Sequence, residues 1–258
     1  MIRVGVFGAG GRMGATVCGA VIDAPDLELV AAVDPPRAGT TVAGTDLVIA
    51  SGPEALSAAG AEVAVDFTVA DAARTHIDWC ADHGVHAVVG TTGFSEADLA
   101  AWADRFSGGP TNAVIAANFA IGAVLMMRFA ELAAPFFDSV EVVEMHHDRK
   151  LDAPSGTAIT TARRIAAASA DWAPDPTEKV VAEGARGARV DGVPVHALRV
   201  RGMIASQEVL FGTTGQSLAL RHDTFDRSSF MPGVVHAVRT VGSTPGLTLG
   251  LEPLLGIG

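Results

Sequence analysis

A glycine-rich turn near the start of the chain constrains the fold more than any other feature of the sequence. The apolar run Ile2–Phe7 ends at a turn, Gly8–Gly14, that reads Gly-Ala-Gly-Gly-Arg-Met-Gly, and a helical pattern follows. A short apolar run that ends at glycine is typical of a buried parallel strand. Glycine lets the backbone approach a pyrophosphate, which the first amides of a helix bind well. The turn therefore predicts a dinucleotide-binding α/β domain.

An acid after the second apolar run supports this interpretation. The glycines of the turn are spaced G-x-x-G-x-x-G, a departure from the usual G-x-G-x-x-G, and they are Gly8, Gly11 and Gly14. Asp34 follows the second run, where an acid accepts hydrogen bonds from the adenosine ribose. Arg12 and Arg37 could instead contact a 2′-phosphate, so we expect NADH to bind and leave NADPH open. Taken alone, the glycines also fit a tight turn in another α/β protein.

Strand-like and helix-like segments alternate over the first half of the chain. Further apolar runs are Leu27–Val33, Leu47–Ala50, Val63–Phe67, His86–Val89 and Ala113–Ala116. Helical patterns lie near Arg12–Ile22, Asp71–Asp82 and Ser95–Phe106, with Asp71 and Ser95 in N-cap positions. This alternation predicts a doubly wound α/β domain with a parallel sheet. Ligands bind at the carboxyl ends of such strands, so the turns Gly90–Gly93 and Ala116–Phe119 become further candidates.

The pattern changes after about Asn118, which indicates a second domain. We expect helices at Ile121–Ala134 and from Ser155 to about Ala168, and strands at Val140–His146, Val195–Ile204, Glu208–Gly212 and Ser217–Leu220. Asp171–Asp191 is predicted as a loop. The tail from Ser228 holds one helical pattern to about Val241 and is expected to pack on the first domain. We therefore predict a dinucleotide-binding domain of residues 1–117 and 228–258, and an α+β substrate-binding and oligomerisation domain of residues 118–227.

Composition excludes several classes of function. A net charge of −11 argues against a nucleic-acid partner, and an anionic substrate would need a local group of positive charges. The chain has no tyrosine, which excludes reductases that use a Tyr-x-x-x-Lys pair, and its two lysines are Lys150 and Lys179. Cys18 and Cys80 fit buried hydrophobic positions in a reducing compartment. No signal peptide or membrane span is expected, so we predict a cytoplasmic protein.

Charged and polar residues are densest between Glu144 and Thr157. Two histidines, an arginine and Lys150 lie within five residues, and a helix is expected to begin after Pro154 with Ser155 as its cap. The amides near Gly156 and Thr157 would then lack intrahelical partners and could bind a carboxylate, with Lys150 supplying a positive charge. The segment thus provides the positive group that an anionic substrate needs.

Metal binding is a weaker interpretation of the histidine pair. Adjacent strand residues face opposite sides, so His146 and His147 do not easily chelate one ion, and no third ligand stands at a recognisable spacing. We therefore expect no metal. A histidine is a suitable general acid near neutral pH, and His146 is the chosen proton donor.

Several segments together resemble one family. They are Gly8–Gly14, Asp66-Phe67-Thr68, Gly90-Thr91-Thr92-Gly93, Asn118-Phe119 and His146-His147-x-x-Lys150-x-Asp152-Ala153-Pro154-Ser155-Gly156-Thr157-Ala158. In this order they are similar to the 4-hydroxy-tetrahydrodipicolinate reductases, the dihydrodipicolinate reductases of lysine and diaminopimelate synthesis. The resemblance implies a Rossmann-like domain, a substrate domain whose mixed open sheet builds a homotetramer, NADH or NADPH as cofactor, and a cyclic dicarboxylate substrate.

The resemblance also implies roles for individual residues. His146 and Lys150 match the catalytic pair, and His147, Gly156 and Thr157 match contacts to substrate carboxylates, to which the cap Ser155 is added. Cofactor contacts are implied at Gly8, Arg12, Met13, Asp34, Gly90, Thr92, Ala117 and Phe119. The strand-end segments add Gly11, Gly14, Phe67, Thr91 and Asn118 as cofactor candidates.

Three residues depart from the family pattern, and two other functions stay open. Asp148 and Arg149 place charges beside the catalytic pair, and Arg201 stands where the family usually has a small residue. One alternative is a nicotinamide reductase of similar layout that acts on a different imine or sugar. The other is a redox-sensing dinucleotide-binding module without catalysis.

Overall fold

The computed structural model describes residues 1–258 and divides them into two units. Unit 1 comprises Met1–Ile121 and Arg227–Gly258, and unit 2 comprises Gly122–Asp226. The strands are β1 (Ile2–Phe7), β2 (Leu27–Val33), β3 (Val63–Asp66), β4 (His86–Val89), β5 (Ala113–Ile115), β6 (Ser139–His146), β7 (Ala188–Val190), β8 (Val193–Arg199), β9 (Ala205–Thr213), β10 (Gln216–Thr224) and β11 (Leu247–Leu249). The helices are α1 (Arg12–Asp23), α2 (Glu54–Ala58), α3 (Ala70–His83), α4 (Glu96–Phe106), α5 (Ile121–Ala133), α6 (Gly156–Ala168) and α7 (Met231–Thr240).

Unit 1 is built on a parallel sheet of six strands in the order β11-β5-β4-β3-β1-β2. Its strands are almost wholly apolar, as expected for a parallel sheet whose strands are buried under helices. One apolar cluster joins Phe7, Val33 and Val89 to buried side chains of α2, α3 and α4, such as Ile77 and Phe106. The order places the carboxyl ends of β1 to β5 along one edge of the sheet, which is where such folds bind ligands. The predicted doubly wound domain is confirmed.

Unit 2 has a mixed, open sheet of five strands in the order β10-β9-β6-β8-β7. The central strand β6 is antiparallel to β9 and parallel to β8. Along β6, Val140 and Val142 are buried and pack with Ala158, Ala162 and Ile165 of α6. This alternation fixes which side chains of β6 face α6, and it continues to Glu144 and His146.

Four local expectations were wrong. Leu47–Ala50 is not a strand, because Leu47 and Ile49 bond to Val42 and Thr40 of their own loop and only Ala50 reaches β2, in an isolated bridge with Val33. Asp71 is not the N-cap of α3, because that helix begins one residue earlier, with Val69 as its cap. The predicted loop over Asp171–Asp191 contains the short strand β7. The strand predicted over Val195–Ile204 ends at Arg199, because the chain then turns, with the amide of Met203 bonded to the carbonyl of Val200 and Gly202 at a φ of 86°.

The starts of two helices agree with the expectations. Ser95 caps α4 in a capping box with Asp98, and α6 begins directly after Ser155. The tail supplies α7 and also β11, which pairs with β5 and had no counterpart in the predicted elements. No helix of the structure has the length and apolar character needed to cross a membrane.

Candidate active site

The inward face of β6 carries an acid and a histidine at its carboxyl end. Glu144 and His146 are two residues apart, so they share the face that Val140 and Val142 begin. The side chain of Glu144 is 0% exposed, and its Oε2 lies 2.6 Å from Nδ1 of His146. His146 itself remains partly exposed. The pair therefore joins a fixed buried carboxylate to an imidazole that solvent or a ligand can reach.

Arg199, the last residue of β8, balances the charge of Glu144. Its Nη1 and Nη2 donate to Oε2 and Oε1 of Glu144 at 2.8 and 2.9 Å. Burial alone would raise the pKa of the Glu144 carboxyl, but the hydrogen bonds from Arg199, His146 and the Ser155 amide outweigh it. The net pKa of Glu144 is lowered from its ordinary value. Glu144 is thus a carboxylate at neutral pH.

The start of α6 is tied to the same acid. The amide of Ser155 donates to Oε1 of Glu144 at 3.0 Å, and its hydroxyl accepts from the amide of Ala158. The amides of Gly156 and Thr157, in the first turn, have no intrahelical acceptor. An anionic group would find donors and the positive end of the helix dipole at this point.

Lys150 lies in the turn that follows β6 and is held by Asp152. Its Nζ donates to both carboxylate oxygens of Asp152 at 2.8 Å, and this bond lowers the pKa of the Asp152 carboxyl from its usual value. The carbonyl of Asp152 accepts from Nη2 of Arg199. Positive charge at this turn is therefore partly balanced before any substrate binds, which the sequence did not indicate.

The remaining residues of the turn include two of the departures from the family pattern. His147 lies just after β6, and its Nδ1 accepts from the amide of Arg149. Nε of Arg201 donates to Asp148 at 2.9 Å. Asp148 and Arg201 thus neutralise each other at the surface, and Arg149 is exposed.

The glycine turn of unit 1 has the shape that the sequence predicted. Gly8 has a φ of 69°, and its carbonyl accepts from the amide of Gly11. A Cβ at Gly14 would overlap the Gly8 carbonyl, and one at Gly10 would overlap the side chain of Arg37. Only glycine fits at these crowded positions. Because glycine has no side chain, the backbone of the turn stays open to a pyrophosphate.

Asp34 lies beside the turn and is buried. Its Oδ2 accepts from the amide of Gly10 at 2.9 Å, which links the ends of β1 and β2. Arg37 lies against Gly10 of the turn, Arg12 is the first residue of α1, and both are exposed, whereas Met13 is partly buried. The residues at and directly after the turn thus include a carboxylate and two guanidinium groups, and they fit a nicotinamide dinucleotide.

Asp66 organises the turns after β3 and β4, although the sequence assigned it no role. Its carboxylate accepts from the amide and hydroxyl of Thr68 and from the hydroxyl of Thr91, and it lies 2.6 Å from Nδ1 of His76. The Thr91 hydroxyl therefore faces this acid, whereas Thr92 is exposed. The Phe67 ring lies against Gly90, where a Cβ would overlap it.

The turn after β5 completes this edge of the sheet. The rings of Phe67 and Phe119 are 5.5 Å apart, and the Asn118 side chain accepts from the amide of Ala120. Ala117 is exposed. The structure thus brings all the predicted cofactor candidates to neighbouring strand ends of unit 1, and all the predicted catalytic and substrate candidates to one end of β6 in unit 2. No group of three or more His, Cys, Asp or Glu side chains could hold a metal ion.

Sequence reasoning missed Glu144, Arg199 and Asp66. Glu144 left a signal, because a charged residue at an inward position of an apolar strand needs buried partners. Arg199 left none, because it lies 55 residues from Glu144 and meets it only through the pairing of β6 with β8.

Comparison with known proteins accounts for both units. Residues 2–119 match the family model described as dihydrodipicolinate reductase, N-terminus, and residues 122–255 match the model of its C-terminus. The 4-hydroxy-tetrahydrodipicolinate reductase of Corynebacterium aurimucosum is 53% identical, with 99% of both chains covered. The enzyme of the same name from Cutibacterium acnes is 50% identical over the full length of both chains.

Comparison with solved structures points to the same family. Dihydrodipicolinate reductase from Paenisporosarcina sp., bound to dipicolinate, superposes with a TM-score of 0.90 at 40% identity and covers 98% of this chain and 99% of its own. An amine dehydrogenase from Mycobacterium smegmatis, 15% identical with a TM-score of 0.63, shares the fold alone. The resemblance seen in the sequence is confirmed. The chain belongs to the dihydrodipicolinate reductase family, the NAD(P)H-dependent 4-hydroxy-tetrahydrodipicolinate reductases of lysine and diaminopimelate biosynthesis.

Proposed function

We propose that this chain carries out the reductase reaction with His146 as proton donor and Lys150 as a ligand of a substrate carboxylate. The observation that carries the proposal is the grouping of His146, Lys150 and the free amides of α6 around one end of β6. A cyclic dicarboxylate needs donors for two carboxylates, and the reduction needs one proton. Unit 2 offers both kinds of group within a short stretch of chain.

The chemistry assigns a task to each residue. Loss of the ring hydroxyl as water leaves a conjugated imine, and a nicotinamide cofactor, when bound, would supply the hydride for its reduction. The resulting enamine then takes a proton from Nε2 of His146. The amides of Gly156 and Thr157 and the Thr157 hydroxyl hold one carboxylate, while Lys150 and His147 hold the other. Lys150 must leave Asp152, at least in part, when this carboxylate arrives.

In unit 1 we propose that the cofactor's pyrophosphate lies on the turn of Gly8, Gly11, Arg12, Met13 and Gly14. Asp34 keeps one oxygen, Oδ1, available for a ribose hydroxyl, which supports the binding of NADH. Arg37 and Arg12 are placed to counter the 2′-phosphate of NADPH. The nicotinamide end of the cofactor would lie at the strand ends lined by Phe67, Gly90, Thr91, Thr92, Ala117, Asn118 and Phe119.

We also propose a homotetramer that forms through the sheet face of unit 2 opposite α6. That face carries the exposed apolar side chains Leu198 and Leu210. Light scattering should then give about four times the 26.3 kDa mass of the chain. A cytoplasmic location is proposed as well, in keeping with two cysteines that are both free.

One assay tests the activity and the cofactor together. The protein is mixed with NADH or NADPH, pyruvate, aspartate semialdehyde and the synthase that makes the substrate. Loss of nicotinamide absorbance should depend on the synthase. Loss of nicotinamide absorbance in the absence of the synthase, or with an unrelated imine or sugar as the only substrate, would favour a different reductase. Binding of NADH without turnover would favour a redox-sensing module.

Two substitutions test the catalytic roles. We expect His146→Ala and Lys150→Ala each to lower turnover about 100-fold or more, because the first removes the proton donor and the second removes the charge that holds a substrate carboxylate in place for the reaction. The exposed residues Lys179 and His83 provide controls of the same residue types, and Lys179→Ala and His83→Ala should keep wild-type turnover. Near wild-type rates in both site variants would refute the assignment.

A further inference from the structure

Glu144 is a buried ionised acid at the candidate site for which the proposed reaction has no use. All of its hydrogen bonds come from donors: the two guanidinium nitrogens of Arg199, the Ser155 amide and the His146 ring. Arg199 and the amide can only donate. His146 is the one partner whose nitrogen can either donate or accept. The arrangement therefore has one adjustable member, and that member is the proposed proton donor.

We propose that Glu144 is a positioning residue for the reductase reaction, which keeps a proton on Nδ1 of His146 so that Nε2 is the nitrogen that exchanges protons with the substrate. The inference rests on the proposed role of His146. It adds a residue that touches neither substrate nor cofactor and acts only through the histidine. Arg199 supports Glu144 from β8.

The proton balance follows from the geometry. The imidazolium of His146 gives its Nε2 proton to the enamine carbon, so an N–H bond breaks and a C–H bond forms. The Nδ1 proton stays between the ring and Oε2 of Glu144, 2.6 Å away, and the neutral ring keeps its orientation. A proton taken up from solvent then restores the N–H bond at Nε2, and this is the one proton that the reduction consumes. Glu144 remains ionised throughout, because Arg199 pairs with both of its oxygens.

Arg199 also connects the histidine to the rest of the site. Its Nη2 donates to the carbonyl of Asp152, whose side chain holds Lys150. Glu144 in turn holds the amide of Ser155 at the start of α6. One ion pair thus fixes the proton donor, the helix start and the lysine turn relative to one another.

Replacement of Glu144 by glutamine has a predictable structural result. A glutamine amide nitrogen in place of Oε1 would face two obligatory donors, Arg199 and Ser155. In place of Oε2 it would face Arg199 and His146, and only His146 can change from donor to acceptor. The amide nitrogen should therefore point to His146, and the neutral ring should move its proton from Nδ1 to Nε2.

The test compares Glu144→Gln with Glu28→Gln, a control of the same residue type on β2 of unit 1. Glu28 pairs with Arg3 at 2.9 Å and lies outside both the candidate site and the sheet face proposed for the tetramer. We expect Glu144→Gln to lower kcat about 100-fold or more. KM and the affinity for dipicolinate should change less than about threefold. Glu28→Gln should leave kcat unchanged.

A spectroscopic readout separates positioning from a purely structural role. The ¹⁵N NMR signals of His146, identified by their loss in His146→Gln, should show Nδ1 protonated in the neutral ring of the wild type and Nε2 protonated in Glu144→Gln. A wild-type ring protonated on Nε2 would overturn the inference without any substitution of Glu144. So would wild-type kcat in Glu144→Gln combined with a slow His146→Ala. If His146→Ala were itself fully active, the proposed function would fail instead.

Discussion

Gly14 shows how strongly a single residue is constrained by the cofactor turn. A Cβ at this position would overlap the carbonyl oxygen of Gly8, which is backbone and cannot rotate away. The close approach brings the start of α1 against the end of β1, where the first amides of the helix are free. The glycine is therefore required by space, whereas its helical conformation alone would accept any residue.

Substitution of Gly14 should separate this effect from helix propensity. We expect Gly14→Ala to lower the free energy of unfolding by about 1–3 kcal/mol, because the turn must open to admit the methyl group. It should also weaken NADH binding. Gly19, in the same helix, has no atom within 4 Å of an added Cβ, and Gly19→Ala should raise stability by about 0.5–1 kcal/mol. Urea unfolding measures the free energy of unfolding and NADH titration measures the affinity for the cofactor. Equal effects of the two substitutions would contradict the packing explanation.

Residues differ in how far the sequence predicts them. Some residues stand in local patterns whose geometry follows from the strand or helix beside them: the glycines of the first turn, Asp34, His146 and Ser155. The structure places each of them at the expected strand or helix end. The partners of Lys150 and Asp148 were not predicted. Asp152 is close in sequence, but the conformation of a turn is needed to show that it binds the lysine. Arg201 meets Asp148 only across the loop after β8.

At the scale of elements, segments with a clear periodicity or apolar run were predicted, whereas two of the three shortest strands were not. The three-residue strand β5 was predicted because it lies in the apolar run Ala113–Ala116. The bounds of α6 follow from Pro154 and Ser155, and those of β6 from its alternation. β7 and β11 have three residues each, too few for a period to be recognised, and they exist because a neighbouring strand offers free backbone groups. Leu47–Ala50 shows the reverse case, an apolar run in which only Ala50 bonds beside β2, in an isolated bridge with Val33, while Leu47 and Ile49 bond within their own loop.

The junction of β4 and β5 should make stability depend on pH. Nδ1 of His86, the first residue of β4, accepts from the amide of Asn112, which directly precedes β5. Burial lowers the pKa of His86 below its usual value, although the charge of Glu62 opposes the shift. Protonation would remove the acceptor, so the neutral ring is the form that stabilises the fold.

The sign of the effect follows from linkage. Because the folded state lowers the pKa of His86, its contribution to stability is present above the ordinary value of 6.5 and is lost as pH falls below it. Asparagine can place its Oδ1 near the position of Nδ1 and does not titrate. Urea unfolding between about pH 7.5 and about pH 5.5 should therefore show a steeper loss of stability for the wild type than for His86→Asn. Equal slopes would show that His86 makes no such contribution.

At the scale of the whole molecule, the tail and the first half of the chain form one unit. Asn112 makes the connection, since its Nδ2 donates to the carbonyls of Val241 and Gly242 and its Oδ1 accepts from the amide of Gly246. These bonds precede β11 and set its register beside β5. The side chain is buried, so its partners have no water to replace it.

Loss of this side chain should destabilise unit 1. We expect Asn112→Ala to lower the free energy of unfolding by about 2–4 kcal/mol, because three hydrogen bonds are lost and buried backbone groups are left unpaired. Ser243→Ala, at an exposed position of the same tail, should change it by less than about 0.5 kcal/mol. Thermal and urea unfolding measure the difference, and a similar small effect of both substitutions would mean that water satisfies the tail's backbone.

The position of β11 also sets an order of events during translation. The six-stranded sheet cannot gain its edge strand β11 until Leu247–Leu249 has left the ribosome. By then every residue of unit 2 has already emerged. The inserted unit can finish folding first, while the unit that begins the chain must wait with one sheet edge open. Nascent unit 1 is therefore the part of this protein on which a chaperone has the longest time to act.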